Sequence, residues 1–218
     1  MRLFLLPLLA VALCAQTLFA QTPRPRKAFI VDNPADVVKI DNDQVKVVID
    51  TELPFETESP RQHPKNRVLV YLDPGHFTMT SDDGRVEEWN VEAGDVRFSR
   101  AGLPYIIENL SGHPLRIVEI ELKTGPKSPV PTTKLDPAVV DPAHYTLESE
   151  NPQIRVLKIH FGPHEKSPTH EHQLNRVVVY MNDQGQMKEG DVRIAGAAVH
   201  TEENAADTPA DRIAVEIK

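Results

Sequence analysis

The chain has 218 residues, 40% of them hydrophobic, and a formal net charge of -8 from 32 acidic against 24 basic side chains. That balance argues against nucleic acid and anionic membrane as partners, because holding phosphates needs an excess of Lys and Arg, and points to a small-molecule or protein ligand. The single cysteine, Cys14, excludes a disulfide framework, so the core must hold without cross-links, as one double-sized domain or two small ones.

Residues 1–20 read as a secretory signal peptide: Arg2 precedes the apolar run Leu3 to Ala15, and Ala20 offers a small residue for cleavage before Gln21. The run is shorter than the roughly twenty apolar residues of a stable membrane span. Leu13 stands where lipidation of Cys14 would require a small residue. The mature chain is therefore expected to be secreted or periplasmic, with no membrane contact after cleavage. Residues 21–40, which carry several prolines, are expected to form an N-terminal arm or a strand added to the other half's sheet.

Strands are expected next at Val45 to Ile49, Arg67 to Leu72, Asp95 to Ser99 and Leu115 to Leu122, all rich in Val and Ile. Turn signals separate them at Asp73-Pro74-Gly75, Asp82-Asp83-Gly84, Ala101-Gly102 and Ser111-Gly112. Residues 125–146 form a linker that opens on Gly125-Pro126-Lys127-Ser128-Pro129-Val130-Pro131, a stiff proline-rich connector. Long helical periodicity is absent, and strands at such short intervals indicate an all-β sandwich or barrel.

The remainder, residues 147–218, repeats residues 41–124. Gln44-Val45-Lys46-Val47-Val48 answers Gln153-Ile154-Arg155-Val156-Leu157, and Asn66 to Tyr71 answers Asn175 to Tyr180, both at a shift of 109 (153 − 44). Glu92 to Arg97 answers Lys188 to Arg193 at a shift of 96 (190 − 94), so the second half has lost 13 residues from the hairpin between. Arg116-Ile117-Val118 is then matched to Arg212-Ile213-Ala214, at the same shift, as the opening of each closing strand.

The chemistry lies in the second half. His170 and His172 are alternate residues of a strand, so they share a face, and His200 on a neighbouring strand would complete a facial triad of imidazoles around one metal ion. If the strand of His200 continues, Glu202 shares its face and becomes either a fourth ligand, a general base, or a solvated rim residue. Glu171 should point away from the metal. His164, Gln173 and Tyr180 are placed to line a mouth or wall, while His76, His113, His144 and His160 show no partner pattern and read as surface or satisfied core residues.

These motifs resemble the cupins, and the duplication resembles a bicupin, two conserved-barrel cupin domains in tandem. Gly162 followed by His170-x-His172 is similar to the family's first motif, and Gly190, His200 and Asn204 to its second; Gly94, Gly102 and Asn109 keep the skeleton in the first half. The resemblance implies two jelly-roll-like β-barrels, domain 1 at 41–124 with a degenerate site and domain 2 at 147–218 with the metal. In domain 1, Arg61 stands for His170, His63 for His172 and Tyr105 for His200. A guanidinium cannot ligate a cation, so domain 1 is expected to be metal-free, a scaffold and homodimerisation surface or an anion site through Arg61.

The family's usual glutamate is missing, its place taken by Arg176 or Val177. Arg67 stands at the equivalent place in domain 1, so both arginines are read as structural, pairing on the barrel exterior. Three neutral imidazoles leave a divalent metal its full charge and open positions, which favours an anionic chelating substrate. The implied ion is Fe(II), with Mn, Zn, Ni and Cu as alternatives, and the implied activity that of a three-histidine dioxygenase-like metalloenzyme or an isomerase. A non-catalytic module binding a sugar acid or other small anion is the competing reading.

Overall fold

The computed structural model describes residues 36–55, 60–102, 104–125 and 133–218. The expected signal peptide, most of the expected N-terminal arm and residues 126–132 of the expected connector lie outside the described residues. No helix among the described residues is long and apolar enough to cross a membrane.

The regular secondary structure of the described chain is almost wholly strand. The first half contains β1 (Val37–Asp41), β2 (Val45–Glu52), β3 (Arg67–Tyr71), β4 (Gly75–Ser81), β5 (Val86–Val91), β6 (Val96–Ser99), β7 (Tyr105–Asn109) and β8 (Leu115–Leu122). One short helix follows, α1 (Pro137–Val140), with the Asp136 side chain capping the Ala138 N–H. The second half contains β9 (Tyr145–Glu150), β10 (Ile154–Phe161), β11 (His170–His172), β12 (Arg176–Tyr180), β13 (Val192–Ala195), β14 (Ala198–His200) and β15 (Ala210–Ile217).

The repeat in sequence is a repeat in topology. One five-stranded sheet runs β1-β2-β8-β3-β6 and the other β9-β10-β15-β12-β13, the same order strand for strand. The residues expected to form an added strand instead begin β1, which pairs antiparallel with β2 of its own half. Conserved turn chemistry closes matching corners: Gly94 at φ 86° and Gly190 at φ 83° occupy left-handed backbone that other residues enter only under strain. Their N–H groups donate to the carbonyls of Tyr71 and Tyr180.

The two large sheets pack face to face and bury the chain's main apolar cluster between them, from Val45, Val47, Val68, Val70, Val118 and Ile120 on one side to Ile154, Val156, Val177, Val179, Ile213 and Val215 on the other. At the rim of this interface Asn66 donates to Gln153 and Asn175 donates to Gln44 at 2.8 Å. The 109-residue shift carries one bond onto the other, Asn66 onto Asn175 and Gln44 onto Gln153, so the halves meet as two copies of one patch, in the manner of an isologous dimer interface.

The shared core settles the register of the closing strands. Val45 pairs with Leu122 and Ile154 with Ile217, which puts β8 and β15 at a shift of 95 (217 − 122), one less than the matched Arg-Ile pairs suggest. A slip of one residue turns a side chain to the opposite face. Arg116 accordingly lies half-exposed on Asp73 and Glu189, whereas Arg212 is buried on the inward face of its own half.

The same alternation corrects the placing of Arg67 and Arg176. Val68 and Val70, like Val177 and Val179, enter the shared core, so the arginines point the other way, into the interior of each half, where both are buried. Arg67 pairs with Glu119 at 2.6 Å and donates to the Tyr105 hydroxyl. Arg176 donates to the Gly196 carbonyl at 2.7 Å.

Candidate metal centre

β11 and β14 pair antiparallel, with His170 directly opposite His200 and His172 opposite Ala198. His170 and His172 are fully buried and His200 partly so, and one ring nitrogen of each lies within 4.8 Å of the others. Imidazole ligation of zinc needs each nitrogen at about 2.0 to 2.1 Å from a shared ion.

The hydrogen bonds fix which nitrogen of each ring is offered. His172 Nδ1 faces the Glu216 carboxylate at 2.7 Å, and His170 Nδ1 faces the Pro168 carbonyl at 3.1 Å. Both partners only accept, so those nitrogens carry the protons and Nε2 carries the lone pair. The Tyr145 oxygen lies 3.2 Å from His170 Nε2, but its one proton goes to Glu202 at 2.8 Å, which leaves the imidazole lone pair uncommitted. His200 Nε2 is buried with no hydrogen-bond partner. An orphaned buried acceptor is costly unless something occupies it, and a cation held by all three rings would. Burial, reinforced by the neighbouring rings, holds the His200 imidazole below its ordinary range, and burial does the same at His170, so both are neutral ligands.

Around the triad stand Glu202, which the sequence singled out, and others that it did not. Tyr145, inside the stretch expected to be linker, is the buried first residue of β9, with its ring 4.8 Å from that of His170. Glu216, held also by Arg155 at 3.3 Å, orients His172. Glu202 follows β14 and is half-buried, its carboxylate bonded to both Arg212 and Tyr145. Burial alone would raise the Glu202 carboxyl, but the Arg212 charge and the Tyr145 hydrogen bond hold it below the usual range. Burial and the Glu202 charge push the Tyr145 phenol up, so it keeps its proton. A one-residue error in the closing strand was enough to conceal Arg212 and Glu216, since it assigns them to the wrong face.

The other expected residues fall as follows. Asn204 is a turn clamp, donating to the carbonyls of Gly162 at 2.9 Å and Thr208 at 2.8 Å, and Asn109 does the same in the first half with Glu52 and His113. Tyr180 is buried at the end of β12, Gln173 and Glu171 are half-buried, and His164 is exposed on Asp207. His144 is satisfied by Asp141 at 2.8 Å and stacks on Phe161; His160 is exposed on Asp211, and His76 is half-buried on Glu88.

In the first half an isolated bridge joins Arg61 to Tyr105, in the place of the His170–His200 pair. Arg61 is not available to an anion, because Asp50 at 2.7 Å and Glu52 at 3.7 Å already take its charge. Burial, with Arg67 and Arg61 nearby, drives His63 down to about 3. A histidine that titrates at 6.5 unfolded and about 3 folded contributes stability above pH 6.5 that is lost as pH falls towards 3. Subtracting the stability of His63→Gln from wild type at each pH should isolate this loss, at up to about 1.4 kcal/mol per pH unit. A pH-independent difference in urea melts would sink the assignment.

The halves differ most beside the site. In the first, β7 is flanked by β4, and β5 lies beyond it. Among the described residues β14, the counterpart of β7, pairs only with β11, and Val199 is 57% exposed. The second half thus lacks, among the described residues, the strand pair that flanks β7 in the first.

No protein-family model matches the sequence, and neither does any curated protein. Solved structures do match in fold. A cupin 2 conserved barrel domain protein from Leptotrichia buccalis is 13% identical with a TM-score of 0.54, covering 84% of this chain and 88% of its own. Oxalate decarboxylase from Bacillus subtilis, a protein with Mn(II) centres, is 14% identical with a TM-score of 0.55 (80% and 69% covered). A variant of salicylate 1,2-dioxygenase from Pseudoaminobacter salicylatoxidans is 11% identical at the same TM-score (80% and 71%). The fold is thus that of the cupins; at these identities it carries no activity across.

Proposed function

We propose that the two halves are tandem cupin barrels joined by the proline-rich connector, that the protein is exported, and that the second barrel is a metalloenzyme acting on a small anionic substrate. The observation that carries this reading is the convergence of three imidazoles, His170, His172 and His200, with the His200 Nε2 buried and otherwise unpartnered. A divalent transition metal bound there, Fe(II) first among the candidates, would supply Lewis acidity and, with iron, dioxygen chemistry.

This chain's own residues do the rest. Glu216 holds the His172 ring and its tautomer. Arg176, buried inside the barrel with a carbonyl as its partner and no carboxylate in ion-pair range among the described residues, offers a positive charge to an anionic substrate. Tyr145 keeps its hydroxyl proton at the edge of the triad, with Glu202 and Arg212 setting its direction. The non-catalytic binding module is favoured by the state of the carboxylates: both Glu202 oxygens are engaged, Glu216 is taken by His172 and Arg155, and the cluster of possible ligand atoms among the described residues holds the three histidines without a carboxylate.

The test is elemental analysis of the purified protein followed by dioxygen-uptake measurements with Fe(II) and a panel of small carboxylates and hydroxy acids. Turnover that depends on iron supports the enzyme; anion binding without turnover, with or without bound metal, supports the module; failure to retain any of Fe, Mn, Zn, Ni or Cu overturns the enzyme, and loss of anion binding as well overturns both. Within that experiment Glu216→Gln should weaken metal affinity by about 10- to 100-fold without unfolding the protein, the usual effect of losing a histidine's carboxylate partner. Unchanged affinity would show that Glu216 does not position His172.

A further inference from the structure

The interior of the first half holds a second site that owes nothing to the histidine triad. A cavity of about 260 Å³ is walled by Tyr71, Phe77, Trp89, Tyr105 and Ile107, with Arg97 among them. Phe77 stacks on Tyr71 with ring centroids 5.9 Å apart and on Trp89 at 6.3 Å, giving a flat aromatic surface. The Arg97 guanidinium lies 3.6 Å from the Trp89 ring centroid, a cation–π contact that fixes its plane.

Arg97 differs from the other arginines facing this interior. Arg61 is taken by Asp50 and Arg67 by Glu119, whereas Arg97 has no ion-pair partner among the described residues, and its Nε is buried with no acceptor. The one carboxylate on the cavity wall, Glu87, is 3.9 Å from Arg85. A second cavity of about 340 Å³ shares Met79, Ser99 and Tyr105 with the first and so lies beside it. An unneutralised guanidinium at the side of an apolar aromatic slot selects a ligand with one anionic end and a flat or branched hydrocarbon body.

We propose that the first half binds a small carboxylic acid with an aromatic or branched aliphatic body, the carboxylate on Arg97 and the body against Phe77 and Trp89. This site is independent of the metal reading. It assigns a binding role to the half that lost its metal ligands.

Trp89 is the chain's single tryptophan and lines the cavity, so its emission reports occupancy directly. Benzoate titrated into the full-length protein should give a saturable change in Trp89 emission and a matching calorimetric isotherm, while benzyl alcohol should bind at least tenfold more weakly. Arg97→Gln should weaken benzoate at least tenfold, the usual scale for losing a charge-assisted bond. Ile107→Phe, which fills the slot and leaves Arg97 in place, should also abolish binding and guards against an Arg97 variant that misfolds. His172→Ala should leave it unchanged. Equal binding of benzoate and benzyl alcohol, benzoate affinity untouched in both cavity variants, or no saturable signal would each overturn the proposal; loss of benzoate binding in His172→Ala would move the site to the metal centre.

Discussion

Wild-type protein should retain close to one equivalent of transition metal, and His170→Ala should retain none. His170 is wholly buried, its Nδ1 is committed to Pro168, and its Nε2 faces the other two rings, so removing it leaves two imidazoles and a gap. Two neutral ligands hold a divalent ion far less tightly than three at a facial site. Because the ion binds only the folded chain, added metal should also raise wild-type stability by about 2.7 kcal/mol at a hundredfold excess over Kd, and leave His170→Ala unmoved. Elemental analysis and a thermal melt read the two effects separately. Equal metal in both proteins would remove the site. A matching change at the equivalent position, Arg61→Ala, should leave the metal content alone, since Arg61 cannot ligate and is held by Asp50.

Arg67→Ala should be the most destabilising of the substitutions considered, by about 3 to 5 kcal/mol. Its guanidinium is almost completely buried between Glu119 and the Tyr105 hydroxyl. Deleting it strands the Glu119 carboxylate, whose titration burial already pushes upward against the pull of Arg67. Replacing both partners, Arg67→Met with Glu119→Leu, should recover most of the loss, because the cost lies in an uncompensated buried charge and not in the pair's net attraction. Urea unfolding at pH 7 decides it. A single-variant loss under about 1 kcal/mol would mean that the arginine is solvated after all.

Much of this molecule was legible along the chain because the relevant signals are local. Alternating Val and Ile mark β2, β3 and β8 and their counterparts, and Gly94 and Gly190 mark matching turns that need left-handed backbone. His170-x-His172 shares a face for the same period-two reason, and the structure brings His200 across from it. The resemblance carried by these residues led to the cupin fold, which the structural neighbours support.

What escaped the sequence depended on contacts between distant segments. Arg67 and Arg176 occupy the places expected for them, yet which face of their strands was inward could be decided only by the sheet-on-sheet core that claims Val68, Val70, Val177 and Val179. Tyr145 reaches the triad because β9 lies along β10, a pairing that no local pattern announces. Glu216 and Arg212 were hidden by a single residue of register in β15, fixed by eight cross-strand pairs with β10. Strand identity and the histidine pair are properties of short-range periodicity, and the amino-acid order settles those; burial, side-chain facing and the partners of each imidazole arise from how two sheets close on one another, and only the folded chain settles these.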